Sequence, residues 1–145
     1  MKSIWHEPLT LEKLNQRGVN TMVEFLDISF IEIGDDYLKA TMPVNAKTKQ
    51  PLGILHGGAN VVLAETLASV AANVVLNNKT HYAVGLDINA NHIRSVSEGL
   101  VTGITRPLHI GRTTQVWLID IFNPEGKLSC TSRMTAAVIE RKGDN

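Results

Sequence analysis

Apolar and polar residues alternate along most of this chain, and the alternation lapses decisively once. From Ile28 the runs I-S-F-I-E-I and Y-L-K-A-T-M keep a period of two and are separated by G34-D-D, which predicts a hairpin of two antiparallel strands. Four longer runs, Tyr82 to Ile93, Leu100 to Leu108, Thr114 to Phe122 and Leu128 to Ile139, also read as strands, punctuated by S-E-G, H-I-G-R and N-P-E-G turns. Between the hairpin and these runs lies Q-P-L-G-I-L-H-G-G-A-N-V-V-L-A-E-T-L-A-S-V-A-A-N, from Gln50 to Asn73, where the period is lost. Its apolar residues are too continuous for a half-buried strand, and they predict a core helix from Ala59 to about Leu76. Two minor helical segments come earlier: Thr10 to Gln16, and T21-M-V-E24, which has capping-box spacing and ends near Leu26.

One helix among about six strands, with no βαβ alternation, indicates an α+β fold in which a curved antiparallel sheet wraps a buried helix. Pro43 and Pro51 bracket a polar loop before that helix, and Gly57 and Gly58 are expected to supply the backbone freedom for a sharp loop-to-helix turn. At 145 residues and 43% hydrophobic, the chain is read as a single domain, residues 1–145, without repeats or linkers.

Charge and cysteine content narrow the function. Fourteen basic and fourteen acidic residues argue against a coat for nucleic acid or an anionic membrane. The stretch Val61 to Leu76 is broken by Glu65, Thr66, Ser69 and Asn73, too short and too polar to span a bilayer. With one cysteine, Cys130, and an N-terminus lacking a signal-peptide core, a cytoplasmic protein is expected. Cys130 lies mid-strand and is read as a packing residue rather than a nucleophile. The five scattered histidines lack metal-site spacing, and no G-x-S-x-G, G-x-G-x-x-G or P-loop pattern is present.

Candidate chemistry converges on the helix. Glu65 is its one carboxylate, costly to desolvate unless paired or used. Glu65, Ser69 and Asn73 fall on one stripe at i, i+4 and i+8, while Val61, Val62, Leu63, Leu67, Val70, Val74, Val75 and Leu76 occupy the rest. Such a stripe can simply face water or a neighbouring element. The helix N-terminus, however, offers unsatisfied N–H groups, and Gly58 N–H is the candidate to polarise a carbonyl oxygen, with His56 and Gln50 beside it to orient that carbonyl or a water. His56 and Glu65 are nine positions apart, roughly 13 Å along a helix axis, too far to serve one bond within a chain. Two such helices packed antiparallel about a two-fold axis would complete two equivalent sites.

The run L-H-G-G-A-x-x-x-L-A-E-T, the later N-A-N-H-I-R and the P-L-H-I-G-R turn followed by Q-V-W resemble the hotdog-fold thioesterases of the phenylacetate-pathway and 4-hydroxybenzoyl-CoA (Arthrobacter-type) branch, from about Trp5 to Val138. Within it, the chain is most similar to the 1,4-dihydroxy-2-naphthoyl-CoA thioesterases of menaquinone synthesis, and next to the enterobactin-pathway proofreading thioesterases. The resemblance implies a hotdog fold, a homotetramer built as a dimer of dimers, and an acyl-CoA substrate with no other cofactor; an acyl carrier protein is the alternative carrier. It implies Glu65 as nucleophile or general base, Gly58 N–H as carbonyl donor, Gln50 and His56 as positioning groups, and Ser69 near the acyl pocket. It further implies that coenzyme A is gripped by His92, Ile93, Arg94 and Ser95 together with the turn His109, Ile110, Gly111, Arg112, Thr113 and Thr114, with Gly85 close by. Ser95 stands where the family commonly has proline.

The chemistry agrees with those roles, because a thiolate whose conjugate acid has a pKa near 8.5 leaves with little proton donation. Two other classes stay open at this stage: a hotdog dehydratase or hydratase, and a non-catalytic acyl-CoA binding module.

Overall fold

The computed structural model describes residues 2–143. Its elements are α1 (Leu11–Gln16), α2 (Met22–Phe25), β1 (Ser29–Ile33), β2 (Leu38–Pro43), α3 (Gly57–Val74), β3 (His81–His92), β4 (Leu100–Ile110), β5 (Thr114–Phe122) and β6 (Leu128–Glu140). The strands form one six-stranded sheet in the order β1-β2-β4-β5-β6-β3. Every pairing in it is antiparallel. The chain places β3 last in this order, at the edge, and α3 packs on β2, β3, β4, β5 and β6.

Alternation along the strands produces this layering. In β5 the residues Gln115, Trp117, Ile119 and Ile121 are buried, while their neighbours point to the outer face. The opposing surface of α3 is Leu63, Ala64, Leu67, Ala68, Ala71 and Ala72, all fully buried. Small alanines let the helix approach the sheet, and each buried leucine contributes about 1.5–3 kcal/mol. The N-terminal segment closes one flank: Trp5 stacks on Trp117 with ring centroids 6.5 Å apart and donates its indole N–H to Gly34 O at 2.7 Å.

The expected boundaries need correction chiefly at α3. It runs from Gly57 to Val74 rather than from Ala59 to Leu76, because the His56 side chain accepts the Gly58 N–H and so starts the helix two residues early. Neither Gly57 nor Gly58 has positive φ; among the described glycines only Gly53, Gly99 and Gly126 do. Backbone freedom is therefore not what that glycine pair provides. The capping at α2 is also shifted by one residue: Thr21 Oγ1 accepts from Val23 N, while Glu24 reaches back to Asn20 N.

Candidate active site

The loop that delivers the chain into α3 is held on three sides. Buried Thr48 donates its hydroxyl to Pro43 O at 2.8 Å, Gln50 N donates to Ile54 O at 2.9 Å, and His56 N donates to Thr48 O at 2.8 Å. Leu55 N donates to Val96 O at 2.7 Å, which ties the loop to the segment following β3. Gln50 and His56 are thereby fixed beside the helix N-terminus. Gln50 Oε1 accepts from Leu52 N, and its amide NH2 has no partner among the described residues.

At that terminus the Gly58 N–H, expected to serve the substrate, instead donates to His56 Nδ1 at 2.8 Å. This bond makes Nδ1 an acceptor, so the neutral imidazole carries its proton on Nε2. Gly57 N–H has no acceptor among the described residues, and it becomes the free donor at the positive end of the helix. Gly57 lies against the face of the His92 ring: a Cβ there would sit 2.8, 3.1 and 3.2 Å from Nε2, Cε1 and Cδ2. A side chain at 57 would displace the His92 ring from this position. His92 Nδ1 is in turn 3.3 Å from Asn60 Nδ2.

Two turns along α3, the Glu65 carboxylate is half-buried and has no hydrogen-bond or ion-pair partner among the described residues. It lies in an apolar groove lined by Met22 and Val23 of α2 and by Val61, Val62, Thr66, Ser69 and Val70 of α3. Behind it stands Gly85 of β3, where a Cβ would come within 2.7 Å of Glu65 Oε1. Gly85 therefore makes room for the carboxylate. Ser69 opens onto the same groove, and its hydroxyl makes only a weak contact, 3.7 Å to Met134 Sδ.

Such an unpartnered carboxylate, and a helix terminus with a free N–H, suit acyl transfer, and comparison with known proteins decides the kind. Residues 52–130 match the Thioesterase superfamily. The chain is 54% identical over 136 residues, 94% of its length and 99% of the relative's, to the 1,4-dihydroxy-2-naphthoyl-CoA hydrolase of Escherichia coli (strain K12). This chain belongs to the thioesterase superfamily. The proofreading thioesterase EntH of Cronobacter sakazakii is 48% identical over 136 residues, 94% of this chain and 98% of that protein. The crystal structure of a mutant thioesterase from Pseudomonas aeruginosa matches with a TM-score of 0.94 at 44% identity, covering 96% of this chain and 100% of that one. The protein is a thioester hydrolase with the hotdog fold, as the motifs implied.

The thioesterase does not bring the two expected coenzyme A segments together within one chain. His92 pairs with Cys130 at one end of β6, whereas Thr114 pairs with Ala137 at the other. Seven residues of strand separate those rows, about 23 Å at 3.3 Å per residue. Gly85 pairs with Ala136, so it belongs to the row of the His109–Thr114 turn and of Glu65, not to the His92–Ser95 segment. Ile93 N and Arg94 N both donate to Ser129 O, and the Arg94 guanidinium donates to Leu128 O. His109 folds back over Gly111, and exposed Arg112 has no partner among the described residues. Cys130 is fully buried, and desolvation, with the Asp120 carboxylate second, pushes its thiol up to about 11, which fits packing rather than chemistry.

Three residues were not anticipated in these roles. Asn73, placed by its spacing on the polar stripe, pins α3 to β3: Oδ1 accepts from Ala83 N at 2.9 Å, and Nδ2 donates to Ala83 O at 3.1 Å. Met134 is buried beside Ser69. Asn60 is 5% exposed, and its Oδ1 is the buried side-chain acceptor left without a partner among the described residues. An unsatisfied buried group costs about 1–3 kcal/mol. An asparagine in an otherwise apolar A-N-V-V-L run is the sequence signal that could have flagged it.

Proposed function

We propose that this thioesterase hydrolyses an aryl acyl-CoA thioester, 1,4-dihydroxy-2-naphthoyl-CoA or a close chemical relative, in a site shared by two chains. The observation that carries the reading is the unpartnered Glu65 carboxylate in an apolar groove, on the same helix as the free Gly57 N–H but eight residues away from it. The 54% identity to the Escherichia coli hydrolase supports the choice of acyl group. In this reading the groove takes the ring, and the thioester oxygen receives the Gly57 N–H of the partner chain in place of the Gly58 N–H. The imidazole Nε2–H of His56 and the amide of Gln50 orient that oxygen or a water. Glu65 then attacks the carbonyl carbon or removes a proton from the attacking water. The C–S bond breaks and the electron pair leaves with sulfur as coenzyme A thiolate; water supplies the oxygen of the resulting carboxylic acid, either by attacking the thioester directly or by hydrolysing the Glu65 mixed anhydride, which restores the carboxylate. Coenzyme A enters and leaves as part of the substrate, and no other cofactor is invoked.

Antiparallel pairing of two α3 helices also answers the separation of the coenzyme A segments. It sets the N-terminal end of one helix, with its His92–Ser95 segment, against the C-terminal end of the other, where the His109–Thr114 turn lies. The unpaired side of β3 and the apolar face Val61, Val62 and Val70 support self-association, which the resemblance extends to a cytoplasmic homotetramer serving menaquinone synthesis. A second reading, proofreading of an aryl carrier protein, is supported by the 48% identity to EntH.

Glu65→Gln tests the proposal. The variant keeps the fold and assembly while kcat for aryl-CoA hydrolysis falls by about two orders of magnitude or more. A folded variant with near-normal turnover would remove Glu65 from the chemistry, and assaying aryl-CoA against aryl carrier protein thioesters decides between the two carriers.

A further inference from the structure

The one buried orphan acceptor in the described chain sits three residues from the start of α3, on the residue that touches His92. Asn60 can meet the ring in two ways. With Nδ2 toward His92 Nδ1, as observed, the ring must accept at Nδ1 and carry its proton on Nε2, and one amide oxygen is orphaned. Rotating the amide would reverse the tautomer and leave the buried NH2 without the one acceptor it has now. Orphaned donors are rarer in native structures than under-satisfied carbonyl oxygens, so the observed orientation is the favoured one. The near-equal distances from the Gly57 Cβ position to three ring atoms put the ring face, not its edge, on Gly57. Nε2 is the ring atom nearest to the Gly57 Cβ position, so the protonated end of the ring lies at the helix terminus whose first N–H is free. His92 is itself exposed in the single chain, so a substrate can reach it.

We propose that Asn60 is a positioning residue that locks His92 as its Nε2–H tautomer flat over Gly57, so that His92 Nε2–H and Gly57 N–H form one two-donor face for the carrier side of the thioester. This moves His92 from the remote phosphates to the reacting end of the substrate, and it gives the orphan oxygen of Asn60 a reason to persist. The inference rests on the reading that the α3 N-terminus receives the thioester.

Two variants and one spectroscopic readout test it. In ¹⁵N NMR spectra of the wild-type dimer near pH 8, His92 shows a protonated Nε2 and a bare Nδ1. Asn60→Asp keeps the side-chain shape but offers only acceptors, so His92 becomes protonated at Nδ1; Asn60→Leu leaves the two tautomers mixed. Each variant loses about tenfold in kcat/KM, the scale of one hydrogen bond to the substrate. On a His92→Ala background neither substitution at 60 causes a further loss, because the two residues act as one unit. A wild-type His92 protonated at Nδ1, or losses that multiply across the double variants, would overturn the assignment. If Asn60→Leu does not fold, the near-isosteric Asn60→Asp and the wild-type spectrum decide the matter. Glu65→Gln, assayed alongside, separates the outcomes: an inactive Glu65→Gln with independent effects at 60 and 92 refutes this pairing alone, whereas an active one refutes the underlying site.

Discussion

Glu65 and Gly85 are twenty positions apart in the sequence and in near contact in the fold, where the absence of a side chain at 85 leaves room for the carboxylate. Gly85→Ala is therefore expected to displace Glu65 rather than the backbone, since the atom in the way is the end of a flexible side chain. We expect kcat to fall at least tenfold, with a thermal midpoint within a few degrees of wild type, because a misplacement of about 1 Å can cost 10²-fold in rate. Unchanged turnover would show that the carboxylate has free room elsewhere. Glu65 itself was legible in the sequence because an isolated carboxylate on an apolar helix is chemically anomalous. Which glycine N–H is left free was not: Gly57 and Gly58 are equivalent as letters, and only the side-chain conformation of His56, which captures the Gly58 N–H, tells them apart. For His92, N-A-N-H-I-R identifies a segment without saying which way its imidazole turns; in the fold the ring lies against Gly57 and meets Asn60.

At the scale of elements, the period-two runs located all six strands, and β5 was bounded correctly at both ends, Thr114 to Phe122. The end of β1 at Ile33 and the starts of β4 at Leu100 and β6 at Leu128 also match, and the remaining strand ends moved by one or two residues. What periodicity cannot supply is strand order, which sets β3 beside β6 rather than β4; the coenzyme A segments lie at opposite ends of the sheet because one follows β3 and the other joins β4 to β5, a strand length away. It also leaves Asn73 ambiguous between a functional stripe and an anchor. With both amide atoms on the Ala83 backbone, Asn73→Ala should destabilise the fold by about 1–3 kcal/mol and lower kcat, since β3 carries Gly85 behind Glu65. Urea unfolding with parallel kinetics checks this, and a stability loss with full activity would uncouple β3 from the site. The strand ends give a third expectation. Arg112, without a partner among the described residues, is free to meet a phosphate, whereas the Arg94 guanidinium is already spent in part on Leu128 O. Arg112→Ala should raise KM for acyl-CoA more than Arg94→Ala, with smaller effects on kcat, because phosphates bind similarly in ground and transition states. Neither variant should impair hydrolysis of an N-acetylcysteamine thioester, which has no phosphates; equal losses on both substrates would mean that the arginines hold structure instead.

For the whole molecule, the proposed chemistry turns on one continuous helix whose two candidate groups are too far apart to act on one bond. His56 caps α3 and Glu65 lies nine residues further on, roughly 13 Å away along the axis, so in the proposed site each comes from a different chain. The most direct measurement mixes two inactive proteins. His56→Ala and Glu65→Gln are purified separately, dissociated, combined in equal amounts and reassembled, with subunit exchange verified by mass. In a mixed dimer, one site joins the native His56 of one chain to the native Glu65 of the other, while the second site carries both substitutions. Random reassembly makes half of the dimers mixed, so the account predicts recovery of about one quarter of wild-type activity. Verified exchange with no activity above that of the two parent variants would contradict it.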